Sequence, residues 1–262
     1  GEEGDVSNEF ASGDKLSLNL PGLQQELLEE VYKTGKPIIL VLLSGSALAV
    51  TWADEHVPAI IQAWYPGAQG GRAVASLLFG EYSPAGRLPV TFYRTTEELP
   101  DIRDYSMANR TYRYMKNEAL YPFGYGLSYT KFEYRDLSVS NSKVNIGEKL
   151  SCSIKVKNVG QYKSDEVVQL YVKNGDGISN PRWQLSGFKR INLEPGEEKE
   201  VTFDILPKQM AIIDEEGRCI LNPGNIDLYV GGSQPDDRSQ KLTGTKVMKT
   251  TVELIGKAIE LV

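Results

Sequence analysis

The spacing of apolar residues changes character near residue 132, and this change constrains the fold more than any other feature of the chain. Before it, helical stretches alternate with short apolar runs; after it, the apolar residues mostly follow a two-residue repeat. A chain written this way builds two kinds of packing, helices laid on a sheet and then sheet laid on sheet.

In the first part, Leu23, Leu27, Val31 and Tyr32 fall on one face of a predicted helix. Pro21 suits its first turn and Gly35 its left-handed end. The run Pro37-Ile38-Ile39-Leu40-Val41-Leu42-Leu43 is continuous rather than alternating, which predicts a strand covered on both faces in a parallel sheet. The unit then recurs: a short helix from Ala49 to His56, a strand from Ala59 to Trp64, a glycine-rich turn, and a helix from Ala73 to Phe79. Arg87 to Phe92 reads as a further β-element closing the layer. The alternation implies parallel strands with helices packed on them. So few strands leave an edge open, and we expect further strands on the N-terminal side.

From Phe132 onward, Leu150, Cys152, Ile154 and Val156 alternate with Ser151, Ser153, Lys155 and Lys157, giving one buried and one wet face. Val167 to Val172, Gly187 to Leu193, Glu200 to Ile205 and Ile226 to Val230 are further strands, separated by turns such as Glu194-Pro195-Gly196-Glu197 and Asn222-Pro223-Gly224. Short strands at this spacing describe an immunoglobulin-like sandwich. Between the two parts, Tyr112, Tyr114, Tyr121, Phe123, Tyr125 and Tyr129 make the segment too aromatic for a loose tether. We expect an ordered linker packed on both sides.

Composition narrows the function. Acidic and basic residues are interspersed, with a formal net charge of -6, so there is no basic stripe to neutralise phosphates, and nucleic acid is not the expected partner. The longest apolar run, Pro37 to Leu43, falls far short of the roughly 18 residues of a membrane span. Gly1 to Val6 lack the basic and then apolar regions of a signal peptide, and cytoplasmic and secreted or periplasmic bacterial settings both stay open, as does homo-oligomerisation. Cys152 and Cys219 read as free thiols, and a single histidine, His56, removes most histidine-dependent metal sites. No cofactor is expected.

Several local patterns have competing readings. Gly67-Ala68-Gln69-Gly70-Gly71 lies between a strand and a helix, but its spacing fits neither dinucleotide nor P-loop fingerprints; close helix-on-strand packing is preferred. Ser44-Gly45-Ser46 with His56 lacks the Gly-x-Ser-x-Gly elbow, and His56 reads as a surface or helix-end histidine. Trp64 and Tyr65 stand at the end of a strand, where ligands approach open α/β sheets; they either line a sugar site or pack the layer. Asn109-Arg110-Thr111 fits the glycosylation sequon, a pattern too common to carry weight.

Several segments together resemble glycoside hydrolase family 3 enzymes of the β-glucosidase and β-xylosidase type. They include Lys15-Leu16-Ser17-Leu18-Asn19-Leu20-Pro21-Gly22, Ala63-Trp64-Tyr65-Pro66-Gly67-Ala68-Gln69-Gly70-Gly71, Gly80-Glu81-Tyr82-Ser83-Pro84-Ala85-Gly86-Arg87-Leu88-Pro89-Val90-Thr91-Phe92 and Leu120-Tyr121-Pro122-Phe123-Gly124-Tyr125-Gly126-Leu127-Ser128-Tyr129. Val156-Lys157-Asn158-Val159-Gly160 and Val167-Val168-Gln169-Leu170-Tyr171-Val172 extend the likeness into the second part. The resemblance implies the later part of an α/β sandwich over 1–99, an ordered linker over 100–131, and a fibronectin-III-like domain over 132–262.

It also implies a mechanism. In such retaining glycosidases an aspartate on a barrel domain attacks the anomeric carbon, and a glutamate protonates the leaving oxygen and then activates water. The barrel is not in this sequence and would be its partner. The resemblance puts the glutamate shortly before Leu20-Pro21-Gly22; Glu9 is the candidate, with Glu2 and Glu3 as alternatives. A β-linked oligosaccharide or glycoside would be the substrate. The other reading is a non-catalytic carbohydrate-binding or scaffolding module, because this chain would supply one carboxylate of the required two.

Overall fold

The computed structural model describes residues 17–101, 103–175 and 180–261. The first part contains α1 (Gln24–Lys33), β1 (Ile39–Leu42), α2 (Thr51–His56), β2 (Ala59–Gln62) and α3 (Gly70–Leu78). β1 and β2 pair in parallel, Ile39 beside Ala59 through Leu42 beside Gln62. Leu42, Leu48, Val50, Ala53, Phe92 and Leu120 are among the buried residues of this layer's core. α1 starts beyond Pro21 rather than on it: Gly22 at φ +56 turns the chain first. Its far end is as expected, with Gly35 at φ +69 donating to the carbonyl of Tyr32 at 3.0 Å.

The expected apolar face of α1 exists, but most of it is bare. Leu28 is buried, whereas Leu23 and Leu27 are 71% and 65% exposed. β1 differs from expectation in the same way: Ile39 and the adjoining Leu43 are exposed, so the strand is not covered on both faces. Nothing among the described residues packs on that side.

Arg87 to Phe92 does not form a third strand of this sheet. The segment pairs instead with 120–125, through Leu88 N–H to the Tyr125 carbonyl at 2.9 Å, Gly124 N–H to Leu88 at 2.7 Å and Phe92 N–H to Tyr121 at 2.9 Å. Pro89 lacks an N–H and breaks the ladder; only Phe92 and Tyr121 remain as a bridge.

The segment between the two parts contains α4 (Thr111–Tyr114) and leads into the sandwich. That part comprises β3 (Phe132–Val139), β4 (Lys143–Asn145), β5 (Leu150–Asn158), β6 (Ser164–Asn174), β7 (Gln184–Leu193), β8 (Glu198–Ile205), α5 (Pro207–Met210), β9 (Ile212–Ile213), β10 (Cys219–Leu221), β11 (Gly224–Gly231), α6 (Asp237–Thr243), β12 (Met248–Ile255) and β13 (Ile259–Glu260). One sheet runs β4-β12-β11-β6-β7, the other β3-β5-β8, and a small third sheet runs β13-β10-β9. β5 alternates as expected, with Leu150, Cys152, Ile154 and Val156 all buried. Leu170, Phe203, Leu228 and Val252 join them in one continuous core.

Candidate active-site edge and the seam behind it

β1 and β2 are parallel, so their C-terminal ends emerge on the same side, where open α/β layers receive ligands. The segments leaving them are joined by polar contacts. Gln62 Nε2 donates to the Ser44 carbonyl at 3.0 Å, and the Ser44 hydroxyl donates to the Ser46 carbonyl at 2.8 Å. Trp64 holds a left-handed backbone at φ +52, unusual for a bulky residue, and its ring meets Phe92 edge-on at 6.3 Å. Tyr65 is exposed beside it. In the turn that follows, a side chain on Gly70 would meet Pro66 Cγ at 2.5 Å; the crowding is within the turn itself rather than between helix and strand.

His56 is not a base for Ser44 or Ser46. It closes α2, stacks on Trp52 at 4.3 Å, and its Nδ1 lies 2.8 Å from the Trp52 carbonyl. Tyr32 meets both rings edge-on at 5.4 Å, so these three aromatics fasten α1 to α2. Flanking the strand ends is a groove of about 420 Å³ whose walls include Leu20, Leu27, Val31, Leu40 and Leu43. Glu9, and its alternatives Glu2 and Glu3, lie outside the described residues. Among the described residues no three His, Cys, Asp or Glu side chains gather as metal ligands, and no helix is long and apolar enough to cross a membrane.

Two arginine-carboxylate clusters lie behind this edge, where the α/β layer meets the sandwich. Arg87 Nη2 donates to Glu166 Oε1 at 2.8 Å, with the two side chains only 9% and 3% exposed. The Val167 N–H donates to the same oxygen at 2.8 Å. Burial raises the Glu166 carboxyl above the usual carboxylate range, and the Arg87 guanidinium opposes that shift. A second cluster lies at Asp54 of α2, which accepts from the Tyr121 hydroxyl at 2.8 Å and from Arg238 Nη2 of α6 at 3.1 Å. The same Arg238 also donates to the Leu120 carbonyl at 3.1 Å. Burial pushes Tyr125 up to about 12, and Tyr121 rises further through burial and its bond to Asp54.

The aromatic segment from Tyr112 to Tyr129 contacts both α3 and β6. Tyr112 stacks on Phe123 at 4.2 Å and meets Tyr171 of β6 edge-on, while the Tyr129 hydroxyl donates to the Leu77 carbonyl of α3 at 2.8 Å. Sequence reasoning missed Asp54, Glu166 and Arg238. Glu166 had a visible signal: it stands in the inward phase of β6, in step with Val168 and Leu170. Arg238 had none, because its partner lies 184 residues away.

Residues 1–129 match the glycosyl hydrolase family 3 C-terminal domain, and residues 166–234 match the fibronectin type III-like domain. The chain is 41% identical over 94% of its length to a xylan 1,4-β-xylosidase of Xylanibacter ruminicola, covering 28% of that protein. It is 36% identical over 86% of its length to a β-glucosidase of Bacteroides ovatus, covering 33%. Among solved structures, a β-glucosidase from Erythrobacter marinus aligns with TM-score 0.81 at 31% identity, over 97% of this chain and 33% of that one. A β-glucosidase from Listeria innocua in complex with gluconolactone gives 0.79 at 30% identity, over 94% and 34%. The chain thus spans roughly a third of the length of the relatives it matches. It belongs to glycoside hydrolase family 3, carrying that family's C-terminal α/β domain followed by a fibronectin type III-like sandwich.

Proposed function

We propose that this chain works as the C-terminal portion of a retaining exo-acting β-glycosidase of the β-glucosidase or β-xylosidase kind, completed by a barrel domain on the same enzyme. The observation that carries this reading is the half-built layer. Among the described residues the parallel sheet has two strands, too few to stand alone, and beside it lies a groove walled by Leu27, Val31 and Leu43. Further strands and apolar side chains from the rest of such an enzyme would cover both. The xylosidase and glucosidase names of the relatives supply the reaction class.

In this reading Glu9 is the general acid/base, and the nucleophilic aspartate comes from the barrel. The glutamate needs a raised pKa to hold a proton at neutral pH, which burial against substrate and barrel provides. The chain divides as 1–99, 100–131 and 132–262, a division in keeping with the start of β3 at Phe132.

The test is direct. Nitrophenyl β-xyloside and β-glucoside are assayed with the 262-residue chain alone and with the enzyme that includes the barrel. Turnover only with the barrel is expected. In that enzyme, Glu9→Ala slows substrates with poor leaving groups by about 100-fold or more, and azide restores turnover of activated ones. Strong turnover by the chain alone overturns the proposal, and unchanged kinetics in Glu9→Ala remove Glu9 from the mechanism. Oligosaccharide binding without the barrel would favour a carbohydrate-binding module instead.

A further inference from the structure

Two arginine-carboxylate pairs cross from the α/β layer to the sandwich, and each grips an element flanking the candidate active-site edge. Arg238, on α6 of the sandwich, reaches Asp54 in the middle of α2. α2 begins at Thr51, shortly after the Ser44–Ser46 segment that leaves β1. The second pair joins Glu166 of β6 to Arg87, which also donates through Nε to the Gly232 carbonyl at 3.3 Å. Arg87 opens the segment that runs to Phe92, and Phe92 supports the Trp64 ring.

Around Gln169 the polar seam is tightly closed, although a cavity of about 190 Å³ remains beside Arg238, walled in part by Thr91 and Gln234. Gln169 Nε2 donates to both the Gly124 and Gly232 carbonyls at 2.9 Å, and the Tyr171 hydroxyl donates to Gln169 Oε1 at 2.6 Å. A Cβ on Gly124 would collide with Gln169 and Tyr171, and one on Gly126 with the Gly86 carbonyl. A contact this tight transmits a position rather than merely covering a surface.

Resting on the reading that the strand-end edge faces substrate, we infer that the fibronectin-like domain is a positioning element for that edge, with Arg238 as its principal positioning residue. Arg238 touches no part of the strand ends itself. It acts through Asp54, which fixes α2, while Glu166 acts through Arg87 on the support of Trp64. The Tyr121 hydroxyl completes Asp54 from the linker, so all three segments of the chain meet at one carboxylate.

The experiment compares Arg238→Met, Arg238→Lys and Tyr121→Phe. Tyr121→Phe removes one hydroxyl and keeps the ring, so it tests the same carboxylate should Arg238→Met fail to fold. In the 262-residue chain, amide hydrogen exchange over 44–57 is expected to rise about tenfold or more in Arg238→Met, and in the same direction but less in Tyr121→Phe. Exchange in β5 and β8 should not change. In the enzyme that includes the barrel, Arg238→Met lowers kcat by about 100-fold with KM held within about twofold, and Arg238→Lys recovers part of the loss. A uniform rise in exchange across the sandwich, or unchanged exchange over 44–57 in both Arg238→Met and Tyr121→Phe, overturns the inference. Loss seen only in KM overturns it too. If the wild-type enzyme shows no glycosidase turnover while exchange over 44–57 responds as stated, the positioning role stands and the proposed reaction falls.

Discussion

Cys152 lies in the buried register of β5, and burial pushes its thiol from 9.0 up to about 11. The unfolded thiol ionises first, so folding stability is intact below about pH 9 and is lost as pH climbs towards about 11. The loss from this one group is at most about 3 kcal/mol. Cys152→Val keeps a small apolar side chain and removes the ionisation; melting temperatures measured across pH 9 to 11 should fall less steeply than in the parent. An equal slope would assign the alkaline loss to other groups, Tyr125 among them. A glycine of the seam can be set against one in the open turn between β9 and β10. Gly217 has a positive φ and open space around its Cα, whereas Gly124 has a positive φ and two side chains in the way. Gly217→Ala should cost about 1–2 kcal/mol, and Gly124→Ala about 3 kcal/mol or more; urea titration separates them.

Elements differ in how much of them could be read from residue order. β5 is local: its alternation between Leu150 and Val156 already states which face is buried. The end of α1 is local too, because Gly35 stops it by backbone geometry. Other features depend on partners that periodicity does not name. The apolar stripe of α1 was legible as a stripe, but its bareness reflects what lies next to it, not its own sequence. Arg87 to Phe92 carries strand-like residues and still forms no sheet strand, since Pro89 interrupts the ladder and the Tyr121 segment competes for its backbone. The Arg238–Asp54 pair illustrates the same limit at the candidate site, and Glu9 lies outside the described residues altogether. The exposed stripe makes its own prediction. Leu27→Glu should leave the folding stability of the isolated chain within about 0.5 kcal/mol of the parent in urea titration. Leu150→Ala, in the sandwich core, should cost about 2–5 kcal/mol. Equal penalties for the two would mean that α1 is covered in solution.

Taken whole, the molecule is two cores joined by a polar, aromatic seam. Seams of this kind hold only if their charged groups are fully partnered, because truncating one member of a buried pair leaves the other uncompensated, at about 3–5 kcal/mol. Calorimetry of the chain should therefore give one cooperative transition, and Glu166→Ala should split it into two as the halves lose their coupling; a single sharp transition in the variant would show that the aromatic contacts suffice. The depth of these pairs carries a last consequence. Exposed pairs such as Lys33–Glu30 and Lys163–Glu194 fade as dissolved ions crowd around them. Arg87 and Glu166 are sealed from that atmosphere, so the join between the halves should be as firm in brine as in fresh water.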